Sequence, residues 1–158
     1  MLLRFVDSLQ ELVDQRLLVF ALGLLRARFV ESLGDLFALA IEAEQIGDRA
    51  EQRRFGGQLR DDLAAFQNEN VELLAISCDP MFSLKAFAEH EGYKFSLLAD
   101  FWPHGDVAKA YGVFMPERGM ASRGTFIIDK SGKVAWSVLN GPGEARDVAA
   151  YKAALAAL

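Results

Sequence analysis

Cysteine is nearly absent from this chain of 158 residues, which contains one, Cys78. One cysteine cannot form a disulfide within the chain, so the small secreted scaffolds that disulfides hold together are excluded. A chain without an internal disulfide suits a reducing compartment. We therefore expect this protein in the cytoplasm.

Positive charge is also in short supply. The chain has 17 lysine and arginine residues against 22 aspartate and glutamate residues, for a formal net charge of -5. Without a basic field, binding to nucleic acid or to an anionic membrane is not expected. The apolar run LLVFALGLL, residues 17–25, is far too short to span a bilayer, and acidic rather than basic residues precede it. The expected partners are small molecules and other proteins.

Residues 1–58 contain no lysine, proline, threonine, tyrosine, tryptophan, histidine or cysteine, and each of these first appears later. This change in composition indicates two segments, 1–58 and 59–158. Apolar residues recur at helical spacing in two places within the first segment: Leu2, Phe5, Val6, Leu9, Leu12 and Val13, then Leu33, Leu36, Phe37, Ala40, Ile41 and Ala43. The patterns predict a mainly helical N-terminal segment with two amphipathic helices.

The second segment alternates between helical and strand patterns. The predicted elements are a helix end at 63–66, a buried strand at 71–77, a helix at 81–90, a strand at 95–99, a turn at 100–105, a short helix at 106–111, paired strands at 124–129 and 133–139, and a helix at 145–158. This order predicts an α/β fold of thioredoxin-like type that lacks its opening unit.

Five strings in residues 59–158 carry a resemblance to a known family: LRDDLAAF, VELLAISCDP, FSLLADFWPHG, AYGVF and SRGTFIIDKSGKV, in that order. Together they resemble the peroxiredoxins, specifically the alkyl hydroperoxide reductase E type. The resemblance implies thiol-dependent reduction of hydrogen peroxide and organic hydroperoxides, without a metal or organic cofactor. It also implies a homodimer, and a small thiol or redox protein that reduces the sulfenic acid formed on the cysteine.

The loop that carries the chemistry in that family has no counterpart here. Family members place a Pro-x-x-x-Thr-x-x-Cys loop between an apolar strand and a helix, where the helix N-terminus and an arginine favour the reactive thiolate. The residues before Leu59 are AEQRRFGGQ, and nothing upstream supplies a cysteine or a threonine. The run LLVF at 17–20 is similar to the opening strand but lies roughly twenty residues too far from Leu59. The sequence therefore predicts little or no peroxidase activity.

Arg123 is the family's site residue that does carry over. In the string ASRGTF, residues 121–126, it matches the arginine that family members place beside the peroxidatic sulfur. A guanidinium there can donate to the thiolate and to the peroxide oxygens as the O–O bond breaks. Spacing alone would instead predict an arginine at a strand start, paired with a surface carboxylate.

Cys78 is the second candidate catalytic residue. It follows the apolar run of residues 71–76, where a free cysteine is usually a small buried hydrophobe, and the adjacent Asp79 disfavours a thiolate. The resemblance does not place the peroxidatic residue at this position. A peroxidase that uses Cys78 nevertheless stays an alternative, and it requires Cys78 to be exposed and close to Arg123.

The string DFWPHG, residues 100–105, resembles a loop near the substrate entrance and dimer contact of the related enzymes. A single histidine beside a proline is not a metal site without further ligands. We therefore predict a surface contact, rather than catalysis, for His104.

Residues 35–47 are weakly similar to the first helix of rubrerythrin-like proteins, in which a glutamate of that helix binds iron. A di-iron site also needs Glu-x-x-His motifs, which this sequence does not contain. Glu42 and Glu44 are therefore expected on a solvated helix face.

Another hypothesis treats residues 1–58 as an out-of-frame or recombined stretch joined to a peroxiredoxin remainder. The sheet would then lack a central strand, and the apolar faces of Ile76 and Phe126 would be exposed. Alternatively, the predicted helices cover that face and produce a non-catalytic dimerising or binding module.

Overall fold

The structure is a computed structural model that describes residues 37–42, 49–141 and 144–158. Its strands are β1 (Phe37–Glu42), β2 (Val71–Ser77), β3 (Ser96–Ala99), β4 (Phe114–Met115), β5 (Met120–Ala121), β6 (Arg123–Ile128) and β7 (Val134–Asn140). The α-helices are α1 (Arg49–Asp61), α2 (Met81–Glu91), α3 (Asp106–Ala110) and α4 (Val148–Ala156), with a 3-10 turn at Leu63–Ala65.

Five strands form one mixed sheet in the order β3-β2-β1-β6-β7, and β4 and β5 form a separate two-stranded hairpin. Strand β1 runs parallel to β2 and antiparallel to β6. Strand β2 is parallel to β3, and β6 is antiparallel to β7. The α/β, thioredoxin-like prediction is confirmed, and the central position of its sheet belongs to a strand from the first segment.

The helix predicted around residues 33–43 is wrong where the structure describes it, because Phe37–Glu42 is strand β1. A short apolar run such as FALAIE is compatible with either helix or strand, and periodicity cannot separate them. Pairing with β2 and β6 favours the strand, because it satisfies the backbone hydrogen-bonding groups of β1 on both sides. The similarity to a rubrerythrin-like helix fails for the same reason, since Glu42 ends a strand.

The boundary predicted between residues 58 and 59 falls inside α1, which continues from Arg49 to Asp61. The first predicted amphipathic helix, the apolar run at residues 17–25 and Glu44 lie outside the described residues. Within the part of the chain that the structure describes, no helix has the length and apolar character needed to cross a membrane.

The first face of the sheet carries the larger core. Its cluster of buried residues consists of Phe55, Leu59, Phe66, Val71, Leu73, Ala75, Phe95, Ile127 and Tyr151. Helices α1 and α4 cover this face, and the rings of Phe55 and Tyr151 meet edge to face with centroids 6.0 Å apart. Alternation along β2 sends Leu73 and Ala75 to this side.

The second face carries two smaller clusters. Ile76 packs with Val107 of α3, and Phe126 packs with Ala108, Val113 and Ala121. Ile76 and Phe126 are only 5% and 7% exposed. The exposure expected for a sheet without a central strand is therefore wrong, because β1 fills the gap between β2 and β6.

Most elements predicted after Leu59 are confirmed within a few residues, and β2 has the predicted bounds. The largest shortening affects the C-terminal helix, which begins at Val148 rather than at residue 145. Asp147 caps it by accepting hydrogen bonds from the backbone N–H groups of Ala149 and Ala150. The β4–β5 hairpin was not predicted, since strands of two residues have no measurable periodicity.

Candidate functional site

Strand register brings the two predicted site residues to the same edge of the sheet. Ile76 of β2 pairs with Glu42, and Thr125 of β6 pairs with the preceding residue of β1. Cys78, just after β2, and Arg123, at the start of β6, therefore lie near the carboxyl end of β1. Because β1 runs between them, their backbones are separated by two strand spacings, on the order of 10 Å.

Arg123 is a buried cation, 5% exposed, at the first position of β6. Its Nη2 donates hydrogen bonds to the carbonyl oxygens of Gly141 and Glu144, both at 2.5 Å. The Glu144 carboxylate in turn accepts a hydrogen bond from the backbone N–H of Gly141 at 2.7 Å. Arg123 thus holds the end of β7 to the chain that leads into α4. The same guanidinium fork suits an anionic or peroxide oxygen.

Cys78 is 1% exposed and occupies the position directly after β2. On its C-terminal side, Asp79 accepts a hydrogen bond from the Ser77 hydroxyl at 2.8 Å, and both of these residues are also buried. The exposure that a catalytic Cys78 requires is not met in this arrangement. Its assignment as a catalytic residue, like that of Arg123, stays a prediction.

Residues 43–48, with the sequence AEQIGD, connect β1 to α1. In the family that residues 59–158 resemble, the reactive loop likewise lies between a strand and a helix. The β1–α1 connection contains neither cysteine nor threonine nor proline. The nucleophile and the hydroxyl that would orient a peroxide are therefore absent from this connection.

Asp100 follows β3 at the same edge and is 2% exposed. Its two carboxylate oxygens accept hydrogen bonds from the backbone N–H groups of Val107 and Ala108, each at 3.0 Å. Burial raises the pKa of Asp100, against the opposing effect of these two hydrogen bonds. The carboxylate fastens the start of α3 to the sheet.

The turn after Asp100 presents two aromatic side chains to solvent. Phe101 is 49% exposed and Trp102 is 72% exposed, and the peptide bond from Trp102 to Pro103 is cis. His104 lies beneath this turn, with Nε2 placed 2.6 Å from the Gly119 carbonyl oxygen and Nδ1 placed 3.3 Å from that of Phe101. His104 thereby joins the turn to the β4–β5 hairpin.

Sequence reasoning missed the structural roles of Asp100, Glu144 and Thr125. Thr125 donates a hydrogen bond from its hydroxyl to the Tyr151 hydroxyl at 3.2 Å, which ties β6 to α4 inside the larger core. The N-cap preference for aspartate gives no signal for Asp100, because the N-cap of α3 is Gly105, five residues later. In the described ranges, no group of three His, Cys, Asp or Glu side chains is arranged to hold a metal ion.

Comparison with known proteins agrees with this geometry. The sequence profile of the AhpC/TSA family matches residues 53–137. Alkyl hydroperoxide reductase E of Mycobacterium tuberculosis is 48% identical over 101 residues, which cover 64% of this chain and 66% of that protein. Peroxiredoxin 1 of Brugia malayi is 38% identical over 96 residues, 56% of this chain and 41% of that protein. The chain thus spans about two thirds of the length of the mycobacterial relative.

Structural similarity extends further along the chain than sequence similarity. The crystal structure of Enterococcus faecalis AhpC matches with a TM-score of 0.72 and 26% identity, and the match covers 80% of this chain and 77% of that one. A match over 80% of the chain includes residues before residue 53, where the family profile does not match. The family profile covers more than half of the chain, and the folds agree. The chain therefore belongs to the AhpC/TSA family, the family of the peroxiredoxins.

Proposed function

We propose that this protein is a peroxiredoxin-fold domain with little or no peroxide turnover, and that it acts as a dimerising or binding module. The observation that carries the proposal is the burial of the sole cysteine, Cys78, which is 1% exposed. A thiol peroxidase needs a thiolate that a peroxide can reach. Any residual activity would use a hydroperoxide as substrate and a thiol or redox protein as reductant.

The module part of the proposal is supported by the surface of the turn after β3. Phe101 and Trp102 are adjacent and 49% and 72% exposed, whereas most large apolar side chains of the described region are covered. Exposed aromatic groups of this kind are typical of protein interaction sites. We expect a homodimer, and the cytoplasm remains our prediction for its location.

A peroxidase that uses Cys78 is the second candidate, and strand register is what favours it. The register brings Cys78 and Arg123 to one edge of the sheet, with only β1 between their strands. If the thiol became accessible, it would lie on the same edge of the sheet as an arginine. This candidate requires Cys78 to react with alkylating agents in the folded protein.

Peroxide consumption by the purified protein, with a thiol reductant in excess, tests both candidates. The Cys78→Ser variant is the matched control, since it removes the sulfur and keeps a small side chain. We expect the same background rate in both proteins, and no alkylation of Cys78 before unfolding. Turnover that disappears in Cys78→Ser would overturn the non-catalytic proposal and identify Cys78 as the peroxidatic residue.

A further inference from the structure

The His104 side chain lies between two acceptors that cannot donate. Nε2 is 2.6 Å from the Gly119 carbonyl oxygen, and Nδ1 is 3.3 Å from the Phe101 carbonyl oxygen. A carbonyl oxygen accepts hydrogen bonds only, so each ring nitrogen must carry a proton to bond there. A neutral imidazole has one N–H, whereas the imidazolium has two. Only the protonated ring can therefore satisfy both contacts.

The ring is held in place independently of its hydrogen bonds. It meets the Phe114 ring at a centroid distance of 5.9 Å and an interplanar angle of 81°, and the Phe101 ring at 6.4 Å and 89°. Gly119 adopts a positive φ of 63°, which favours glycine and presents its carbonyl to the ring. The imidazole thus stays between the turn and the hairpin in either charge state.

The segments that contact the ring carry charged residues of both signs. Asp100 precedes the turn, Asp106 lies in the first turn of α3, and Glu117 lies in the hairpin turn. The positive charges are Lys109, whose Nζ donates to the His104 carbonyl oxygen at 2.7 Å and to Asp106 at 3.1 Å, and Arg118 of the hairpin turn.

We propose that His104 is a proton-controlled latch between the exposed aromatic turn and the β4–β5 hairpin. The protonated ring donates to both carbonyls and ties Phe101 to Gly119. The neutral ring keeps the shorter bond to Gly119 and releases the longer one to Phe101. The turn that carries Phe101 and Trp102 is therefore less mobile when His104 is charged and more mobile when it is neutral.

The consequence for partner binding rests on the function proposed above. If the turn is the pairing surface, a firm turn loses less conformational freedom on association than a loose one. Association should then strengthen as the pH falls through the range in which histidine side chains gain charge, between about pH 8 and pH 5. We expect a change in dissociation constant of about fivefold across this range.

Nitrogen-detected NMR of the imidazole rings tests the latch itself. The chain has two histidines, and the other, His90, has a 73% exposed side chain beside Glu91, so His90→Phe is the matched control. At low pH we expect both His104 nitrogens to carry protons, and the backbone signals of Phe101 and Gly119 to move with the same midpoint. His104→Phe keeps the ring contacts but has no N–H, and should abolish this movement.

A neutral His104 throughout the range, with backbone signals at Phe101 and Gly119 that do not respond to pH, would overturn the latch. That measurement uses the unmodified protein, so it does not depend on any variant folding. Sedimentation of the full chain at the two ends of the range then tests the link to pairing. A latch that titrates in a protein that never associates would refute the pairing surface and leave the latch standing. Association with the same dissociation constant at both ends of the range would refute only the link between the latch and pairing.

Discussion

The two faces of the sheet are held by different kinds of interaction. The first face is closed by apolar side chains, and Phe66, Leu73 and Ile127 are each 0% exposed. On the second face and its adjoining edge, the clusters are small, and polar side chains fasten neighbouring elements through backbone atoms. Asp100 binds the N–H groups of α3, and Arg123 binds the carbonyls after β7.

The comparison shows which part of the molecule is suited to respond to its surroundings. Burial of apolar surface is non-directional and depends little on pH. Hydrogen bonds from charged groups are directional and change with protonation or with a ligand that competes for the same donor. The candidate site residues all lie on the second face or its adjoining edge, where polar interactions hold the elements together. Substitutions that remove side-chain volume should therefore disrupt the first face. Substitutions that remove a charge or one hydrogen bond should disrupt the second face.

The largest effect is expected from Phe66→Ala on the first face. Phe66 is 0% exposed, and truncation would leave a cavity the size of a phenyl ring in the larger core. We expect the free energy of unfolding to fall by about 3–5 kcal/mol in urea titrations. Phe82→Ala is the control, because Phe82 is 78% exposed, and it should change stability by less than about 0.5 kcal/mol. Equal losses in both variants would contradict the assignment of the core.

Close packing of α1 on the first face predicts an intermediate effect at Gly56. A Cβ atom at Gly56 would lie 2.0 Å from the Tyr93 hydroxyl oxygen, so Gly56→Ala forces the ring to move. Overpacking of this kind costs about 1–3 kcal/mol, against a gain of up to about 1 kcal/mol in helix propensity. Thermal unfolding of the variant should show the net loss.

The neighbouring glycine provides the matched control for Gly56. A Cβ atom at Gly57 would meet only the Arg60 side chain, at 3.7 Å, so Gly57→Ala should stabilise the protein by about 0.5–1 kcal/mol. Adding Tyr93→Phe to Gly56→Ala removes the hydroxyl and should restore part of the loss. If both alanine variants stabilise the protein, α1 does not approach Tyr93 as closely as described.

A smaller loss than in the core is expected from Asp100→Asn, which weakens the attachment of α3 on the second face. The amide keeps one acceptor oxygen, so one of the backbone N–H groups of Val107 and Ala108 loses its partner. We expect a loss of about 1 kcal/mol, measured by urea unfolding near neutral pH. The local effect should appear as faster hydrogen exchange in α3, with β2 unaffected.

The pH dependence of that loss has a definite sign. Burial raises the pKa of Asp100 above its ordinary value of 3.8, so the folded protein holds this proton at higher pH than the unfolded chain. The contribution of Asp100 to stability is complete below 3.8 and declines as the pH rises through the raised pKa. The wild type should therefore lose stability relative to Asp100→Asn over that window. An opposite slope would show that the hydrogen bonds to the carboxylate outweigh its burial.

Strands β1 and β2 show what could be predicted from sequence. The run VELLAIS at Val71–Ser77 is apolar, rich in strand-forming residues and bounded by polar turns, so β2 was predicted at its observed bounds. The run FALAIE at Phe37–Glu42 is equally apolar but continues a helical spacing from earlier residues, and a helix was predicted. The local pattern cannot distinguish a helix from a strand here, because the hydrogen bonds that favour the strand are made with β2 and β6, more than thirty residues away in sequence.

The sequence by itself determined the order of the helices and of the longer strands after Leu59, the presence of one cysteine, and the lack of a cysteine and threonine in the connection before α1. These follow from composition and local periodicity, which each segment carries on its own. Only the tertiary structure decided that β1 completes the sheet, that Arg123 binds the loop after β7, and that His104 bridges two carbonyls. These depend on partners distant in sequence, whose positions are set by the packing of the whole domain.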